Sequence, residues 1–227
     1  SHTNELKEQV LEHLWLTLVS VTFAVIVGLI LGIWISRNKR VAGAVMGIVN
    51  GVQTIPSLAL LGVLLPVAGI GVLPAIIALF LYALLPIVRN TYTGIEGIDP
   101  AVREAATGMG LNSAQLLIRV ELPLAMPVIF AGVRTAFVIN VGIATLCALI
   151  AAGGLGEFIF RGLGTNNPQM ILAGAIPASL LALFFDWILG YLQQNLTRFL
   201  KPAIVIYVIV MTVLALWYFD IFRSDEQ

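Results

Sequence analysis

The stretch GIEGIDPAVREAATGMGLNSAQLLIRVE, residues 94–121, is the one sizeable polar segment in an otherwise apolar chain. Its Asp99-Pro100 pair is typical of an N-cap followed by the first position of a helix. Two glycines within residues 108–110 end that helix, and the Asn-Ser pair at 112–113 can cap a second one. The segment therefore predicts two short helices joined at a glycine-rich bend and lying against a membrane surface.

The rest of the chain is too apolar for a water-soluble protein. Of its 227 residues, 59% are hydrophobic and 11% are charged, whereas soluble domains carry about 25% charged residues. Lys and Arg balance Asp and Glu at 12 each, which excludes a basic nucleic-acid-binding protein. The composition predicts an all-α, polytopic membrane protein that lies in a lipid bilayer and binds no nucleic acid.

Apolar runs on both sides of segment 94–121 define the predicted membrane spans. A helical span needs about 20 predominantly apolar residues. We predict six spans, near residues 14–35, 42–65, 72–92, 124–150, 171–195 and 203–220. The corresponding organisation is an external N-terminal segment 1–13, a transmembrane domain 14–197 that contains 94–121, an extra transmembrane helix 198–220 and an external tail 221–227.

The distribution of Lys and Arg between the spans predicts the orientation, because cytoplasmic loops are enriched in these residues. Eight of them fall on the side of segment 94–121 and three on the other side, while Arg134 lies inside a span. We therefore expect segment 94–121 in the cytoplasm and both termini outside. The eight residues are Arg37, Lys39, Arg40, Arg89, Arg103, Arg119, Arg198 and Lys201.

The order of residues within the polar segment resembles a known signature. Glu104-Ala105-Ala106 is followed after three residues by Gly110, and after nine more by Val120, one further residue and Leu-Pro. This order is similar to the Glu-Ala-Ala, Gly, Ile-x-Leu-Pro pattern of permease subunits of binding-protein-dependent ABC importers. Val120 in place of Ile is the one departure from that pattern.

The resemblance implies the type I ABC importer permease fold, a five-helix core to which span 203–220 adds a sixth transmembrane helix. In that family the polar segment is a coupling helix that docks on an ATPase. The residues that carry this role over are Glu104, Ala105, Ala106 and Gly110. A second permease copy or a sister permease is expected beside the chain.

The energy source is expected on partner proteins. The chain contains no Gly-x-x-x-x-Gly-Lys-Ser/Thr phosphate-binding loop. The resemblance assigns ATP and Mg to two cytoplasmic ABC ATPase subunits, and no cofactor is expected in this chain. A catalytic Gly-x-Ser-x-Gly or His-Glu-x-x-His motif is also missing, and His2 and His13 are too few for a metal site. The sequence indicates a transport subunit and not an enzyme.

Further stretches resemble the osmoprotectant subgroup of that family, which imports glycine betaine, carnitine and choline across the bacterial cytoplasmic membrane. Ergothioneine, or another small amino-acid-like solute, is the alternative substrate. The solute is expected from an extracytoplasmic binding protein or from a binding domain fused beyond Gln227. The matching stretches are residues 53–62, 84–92, 153–157 and 173–179.

Polar residues inside the spans are the candidates for the translocation pathway. Gln53, Thr54, Pro56 and Ser57 interrupt the second span, and Asn140 lies in the fourth. Such groups are costly against lipid, and a proline bends a membrane helix by freeing a backbone carbonyl. Two interpretations stay open for the bend: a moving element that lines the pathway, or a static kink satisfied by its own side chains.

Arg134 and Asp186 are the charges that lie well inside the spans. Charged groups at this depth usually face a partner or an aqueous cavity. Both are predicted about 14–15 Å from the cytoplasmic ends of their helices, from a rise of about 1.5 Å per residue. We expect them to pair or to face one cleft, with structural pairing favoured over contact with substrate.

Glycines recur every fourth residue in the first two spans. They are Gly28 and Gly32 in the first span, and Gly43, Gly47 and Gly51 in the second. Small residues at this spacing let helix backbones approach closely in lipid. Both sets are therefore predicted to lie at helix–helix contacts.

Overall fold

The computed structural model describes residues 2–195 and Met211, and the predicted all-α fold is confirmed over this part of the chain. A π-helical turn, Leu117–Glu121, and a 3₁₀ turn, Ala148–Ile150, are continuous with helix α7. The helices are α1 His2–Arg37, α2 Lys39–Thr54, α3 Ser57–Ala68, α4 Val72–Glu96, α5 Pro100–Gly108, α6 Ser113–Leu116, α7 Leu122–Cys147, α8 Gly156–Gly164 and α9 Pro168–Gln194.

Four helices of the described part are long and apolar enough to cross a membrane, and a bent pair adds a fifth span. The four correspond to the first, third, fourth and fifth predicted spans. The predicted sixth span, 203–220, the rest of helix 198–220 and the tail 221–227 lie outside the described residues, apart from Met211. The four helices are Asn4–Arg37, Val72–Glu96, Ser113–Ile150 and Pro168–Gln194.

Helix α1 begins twelve residues before the predicted span, at His2 instead of residue 14. Its first turns pack within the protein, since Gln9 and His13 are buried and His13 Nε2 lies 3.0 Å from the carbonyl oxygen of Val141. The backbone N–H of Gly154 also donates to the Glu12 carboxylate at 3.0 Å. The N-terminal segment is therefore part of the bundle, because its polar side chains find partners on other elements.

The second span is broken rather than kinked. Helices α2 and α3 are bent by 98° at Ile55-Pro56, and Ile55 has the extended backbone that a following proline favours. With 16 and 12 residues, the two helices are about 24 and 18 Å long at about 1.5 Å per residue. Neither one alone crosses a hydrocarbon core about 30 Å thick.

Helix α4 lies between α1 and α7 and contacts both through glycines. A Cβ atom at Gly32 would lie 2.5 Å from Cβ of Thr91, and one at Gly132 would lie 2.6 Å from the carbonyl oxygen of Pro86. Gly28 is equally close to Ile87, so the predicted packing of the α1 glycines is confirmed. For the α2 glycines 43, 47 and 51, no described atom of a neighbouring element lies within 4 Å of such a Cβ, so they make no close helix–helix contact within the described part of the chain and the prediction for them stays a prediction.

We predict opposite effects for the same substitution at two glycines. Gly32→Ala forces α1 away from Thr91 and should destabilise the protein by about 1–3 kcal/mol. Gly47→Ala meets open space and should be neutral or stabilising by up to about 1 kcal/mol, because alanine favours helix more than glycine does. Thermal unfolding of the detergent-solubilised chain measures both. Equal effects of the two variants would contradict the packing described for Gly32.

Candidate functional site

The first helix predicted within segment 94–121 is present as α5. Asp99 is its N-cap and accepts a hydrogen bond from the N–H of Ala101 at 2.9 Å. The helix ends at Gly108, and Gly110 has a φ of +86°, which an alanine would adopt only with strain. The N-cap and the bend are therefore at the residues that the sequence analysis predicted, Asp99 and Gly110.

The four candidate coupling residues lie on two faces of α5 and the bend that follows it. Ala106 is buried, whereas Glu104, Ala105 and Gly110 are exposed. Met109, next to the bend, is 74% exposed. This exposed face has small side chains, one carboxylate and one large apolar side chain, and is therefore suited to lie in a groove of another protein.

The second predicted helix of the polar segment is not a separate element. Asn112 and Gln115 form a capping box, in which each side chain bonds the backbone N–H of the other. From Ser113 the chain then runs through the π-helical turn into α7, as one helix of 38 residues up to Ile150. The sequence analysis began the fourth span near residue 124 and therefore separated this helix from it.

Glu121 is a completely buried carboxylate at the start of α7, and the sequence analysis missed it. Arg37, at the end of α1, donates two hydrogen bonds to it, of which Nη1 to Oε1 measures 3.3 Å. Nε of Arg103 on α5 lies 3.0 Å from Oε1. Arg103 also donates to the carbonyl oxygen of Ile95 on α4. Four elements therefore meet at one pair of arginines and one carboxylate.

A second ion pair lies at the same end of the bundle but at its surface. Nζ of Lys39 is 2.9 Å from Oε2 of Glu96, and the Lys39 side chain is 73% exposed. Exposed pairs of this kind contribute little to stability. It differs from the Glu121 cluster in burial and in having a single contact.

The bend between α2 and α3 is held by α4. Gln53 donates from Nε2 to the carbonyl oxygen of Tyr82 at 3.1 Å, and the Tyr82 hydroxyl donates to the carbonyl oxygen of Ile55. The sequence analysis did not identify Tyr82, although a tyrosine in an apolar span needs a hydrogen-bond partner. Thr54 and Pro56 are exposed, and Ser57 is partly exposed. The predicted pathway residues at the bend therefore point partly into α4 and partly out of the chain.

Asn140 does not join those residues. It is buried between α1 and α7, and its Nδ2 donates to the hydroxyl of Ser20 at 3.2 Å. Its Oδ1 has no partner within the described residues. His13 and Thr17, on the same side of α1, are also completely buried. Asn140 thus belongs to a polar strip inside the bundle, separate from the bend.

Arg134 and Asp186 are in direct contact, as expected from the sequence. Nε and Nη2 of Arg134 donate to the two carboxylate oxygens of Asp186, each at 2.6 Å. This two-pronged geometry is the strong form of the arginine–carboxylate pair. Both side chains are partly exposed, at 36% and 42%, and they border a cavity of about 370 Å³ with Thr135 and Gln193. The pair links α7 to α9.

These features define a class of protein: a polytopic membrane protein whose apolar helices are long enough to cross lipid and whose polar segment 94–121 lies at one end of the bundle. The chain belongs to the family of binding-protein-dependent transport system inner membrane components, which it matches over residues 24–198. The expectation drawn from the Glu104–Pro123 pattern is confirmed at this level.

Relatives from bacteria are similar to this chain over most of their length. The chain is 45% identical over 186 residues to the glycine betaine/carnitine/choline transport system permease protein OpuCB of Bacillus subtilis (strain 168), covering 82% of this chain and 86% of that protein. It is 47% identical over 191 residues to the osmoprotectant import permease protein OsmW of Salmonella typhimurium, covering 82% and 89%. The fold also matches an inward-facing structure of the MetNI methionine ABC transporter at 25% identity and a TM-score of 0.78, covering 87% of this chain and 98% of that one.

We predict that the Arg134–Asp186 contact stabilises the bundle through pairing. Asp186→Ala leaves the guanidinium without its carboxylate and should lower the melting temperature. Arg134→Ala/Asp186→Ala removes both charges and should recover part of the loss. Thermal unfolding of the single and double variants measures the coupling. Additive losses in the double variant would show that the two side chains act independently.

Proposed function

We propose that the chain is the membrane-spanning permease subunit of an ATP-driven importer for quaternary ammonium solutes of the glycine betaine, carnitine and choline type. The observation that carries this proposal is identity of 45–48% with permeases that are named for one or more of these solutes, over at least 82% of the chain. Ergothioneine is not favoured, since the relatives reported above are named for other solutes.

The proposed partners follow from the exposed face of α5 and from the missing phosphate-binding loop in the sequence. Two cytoplasmic ABC ATPase subunits bind ATP and Mg, and the exposed face of α5 around Glu104 and Met109 docks on one of them. A second permease copy or a sister permease lies beside the chain. An extracytoplasmic binding protein, or a binding domain fused beyond Gln227, delivers the solute.

The proposed orientation places α5 in the cytoplasm and both termini outside the cell, in a bacterial cytoplasmic membrane. Arg37, Lys39 and Arg103 support it, because they gather at the end of the bundle that carries α5. Excess Lys and Arg at one end favours the cytoplasmic side. The proposal keeps residue 197 as the end of the transmembrane domain and 198–220 as an extra helix, whereas the start of the domain moves to the first turns of α1.

The proposed mechanism moves the bundle from its cytoplasmic end. Closure of the ATPase subunits pushes α5, and the push reopens the bundle toward the outside. At the α2–α3 bend, Thr54 and Pro56 are exposed and Ser57 is partly exposed, so they are open to a neighbouring protein. We assign them to a pathway that the neighbouring permease completes, whereas the buried Asn140 lies inside one chain.

Uptake into liposomes tests the proposed reaction. The chain is reconstituted with the ATPase and binding protein of its own system, and uptake of radiolabelled glycine betaine, carnitine and choline is measured. Uptake of at least one of them should require internal ATP and the ATPase. Uptake that proceeds without ATP would indicate a passive channel, and ATP-dependent uptake of radiolabelled ergothioneine without uptake of the three solutes would identify the other substrate class.

Substitutions on the exposed face of α5 test the docking role. Glu104→Lys reverses an exposed charge, and Gly110→Asp strains a left-handed turn. Both variants should insert normally, lose the ATPase during purification and reduce uptake at least tenfold. Glu8→Lys is the matched control, since it reverses an exposed charge on the first turns of α1 and should retain the ATPase. Full uptake by Glu104→Lys and Gly110→Asp would refute the role.

A further inference from the structure

Glu121 has a buried carboxylate, whereas the charged side chains of an ordinary solvated loop are exposed to water. It is 0% exposed and faces two arginines, whose side chains are 42% and 28% exposed. A buried charge is retained only where opposite charges and hydrogen bonds compensate its lost hydration. Here Arg37 supplies two hydrogen bonds and Arg103 supplies a third close contact.

These three residues belong to elements with different roles. Arg37 is the last residue of the long membrane helix α1, and Glu121 directly precedes α7. Arg103 lies on α5, beside the exposed Glu104 that we assign to ATPase docking. One carboxylate therefore connects the docking helix to the ends of two spanning helices, and Arg103 extends the connection to α4 through the Ile95 carbonyl.

Apolar packing provides little other attachment for α5. Of its residues, Pro100–Gly108, all of which the structure describes, Ala106 alone is buried. An alanine side chain has a small contact area, and both connections of α5 are short turns. Arg103 is thus the long side chain by which α5 is fastened to the bundle.

We propose that Glu121, with Arg37 and Arg103, is the joint through which displacement of α5 is passed to α1 and α7. The inference rests on the proposed coupling function and assigns positioning residues to it. Charge-assisted hydrogen bonds at a buried carboxylate are strong and directional, so α5, α1 and α7 move together. Without the joint, α5 shifts on its turns while the spanning helices stay in place.

The joint predicts a loss of coupling that differs from loss of docking. Glu121→Gln keeps the shape of the side chain but removes its charge, so the two arginines lose their common counter-ion. The exposed face of α5 is unchanged, and the ATPase should still bind and hydrolyse ATP. The number of solute molecules imported per ATP should fall at least tenfold.

The experiment measures uptake and ATP hydrolysis in the same liposomes containing the complete complex. Glu96→Gln is the matched control, because it makes the same change in the surface pair with Lys39 at the same end of the bundle, and it should keep the ratio within twofold. Arg103→Lys is the second variant of the joint, since it keeps the charge and loses the Ile95 contact. It should lower the ratio even if Glu121→Gln does not assemble.

The outcomes separate this inference from the proposed function. A ratio unchanged in Glu121→Gln and Arg103→Lys, together with loss of uptake in Glu104→Lys, overturns the joint and leaves docking through α5 intact. Parallel loss of uptake and hydrolysis also overturns the joint, because it indicates a purely structural role. Normal uptake by Glu104→Lys overturns the coupling function and the joint with it.

Discussion

Close contact of α4 with α1 and α7 is the interaction on which the architecture depends. Lipid gives apolar helices no hydrophobic reason to associate, so they hold together where small residues let backbones touch. Gly32 and Gly132 provide such contacts on opposite partners of α4. This three-helix centre brings the ends of α1, α4 and α7 to one place, which is where Arg37, Arg103 and Glu121 meet.

Each group of polar residues in this protein connects a different set of structural elements. The charged cluster at the α5 end joins α5 to the ends of spanning helices, whereas the Arg134–Asp186 pair joins α7 to α9 at one point along them. Hydrogen bonds from Gln53 and Tyr82 hold a bend whose remaining polar residues are exposed. In each group, the contacts formed between elements offset the free-energy cost of removing polar side chains from water.

The sequence predicted those features that depend on neighbouring residues or on the high free-energy cost of placing a charge in lipid. Asp99 capping, the turn at Gly110 and the pairing of Arg134 with Asp186 could be predicted, because each follows from backbone chemistry or from the expense of a charge in lipid. The 98° break at Pro56 could not, since a proline also permits a mild kink. Tyr82 and Glu121 were missed because their partners come from distant positions along the chain.

The side of the membrane on which α5 lies, and what it touches there, can be measured with one cysteine. Met109 is 74% exposed and the single native Cys147 is buried, so Met109→Cys reports alone to a membrane-impermeant maleimide. Labelling should occur in inside-out vesicles and not in right-side-out ones, and bound ATPase should block it. Labelling from the outside, or labelling that the ATPase leaves unchanged, would contradict the central claim that α5 receives the motion of a cytoplasmic ATPase.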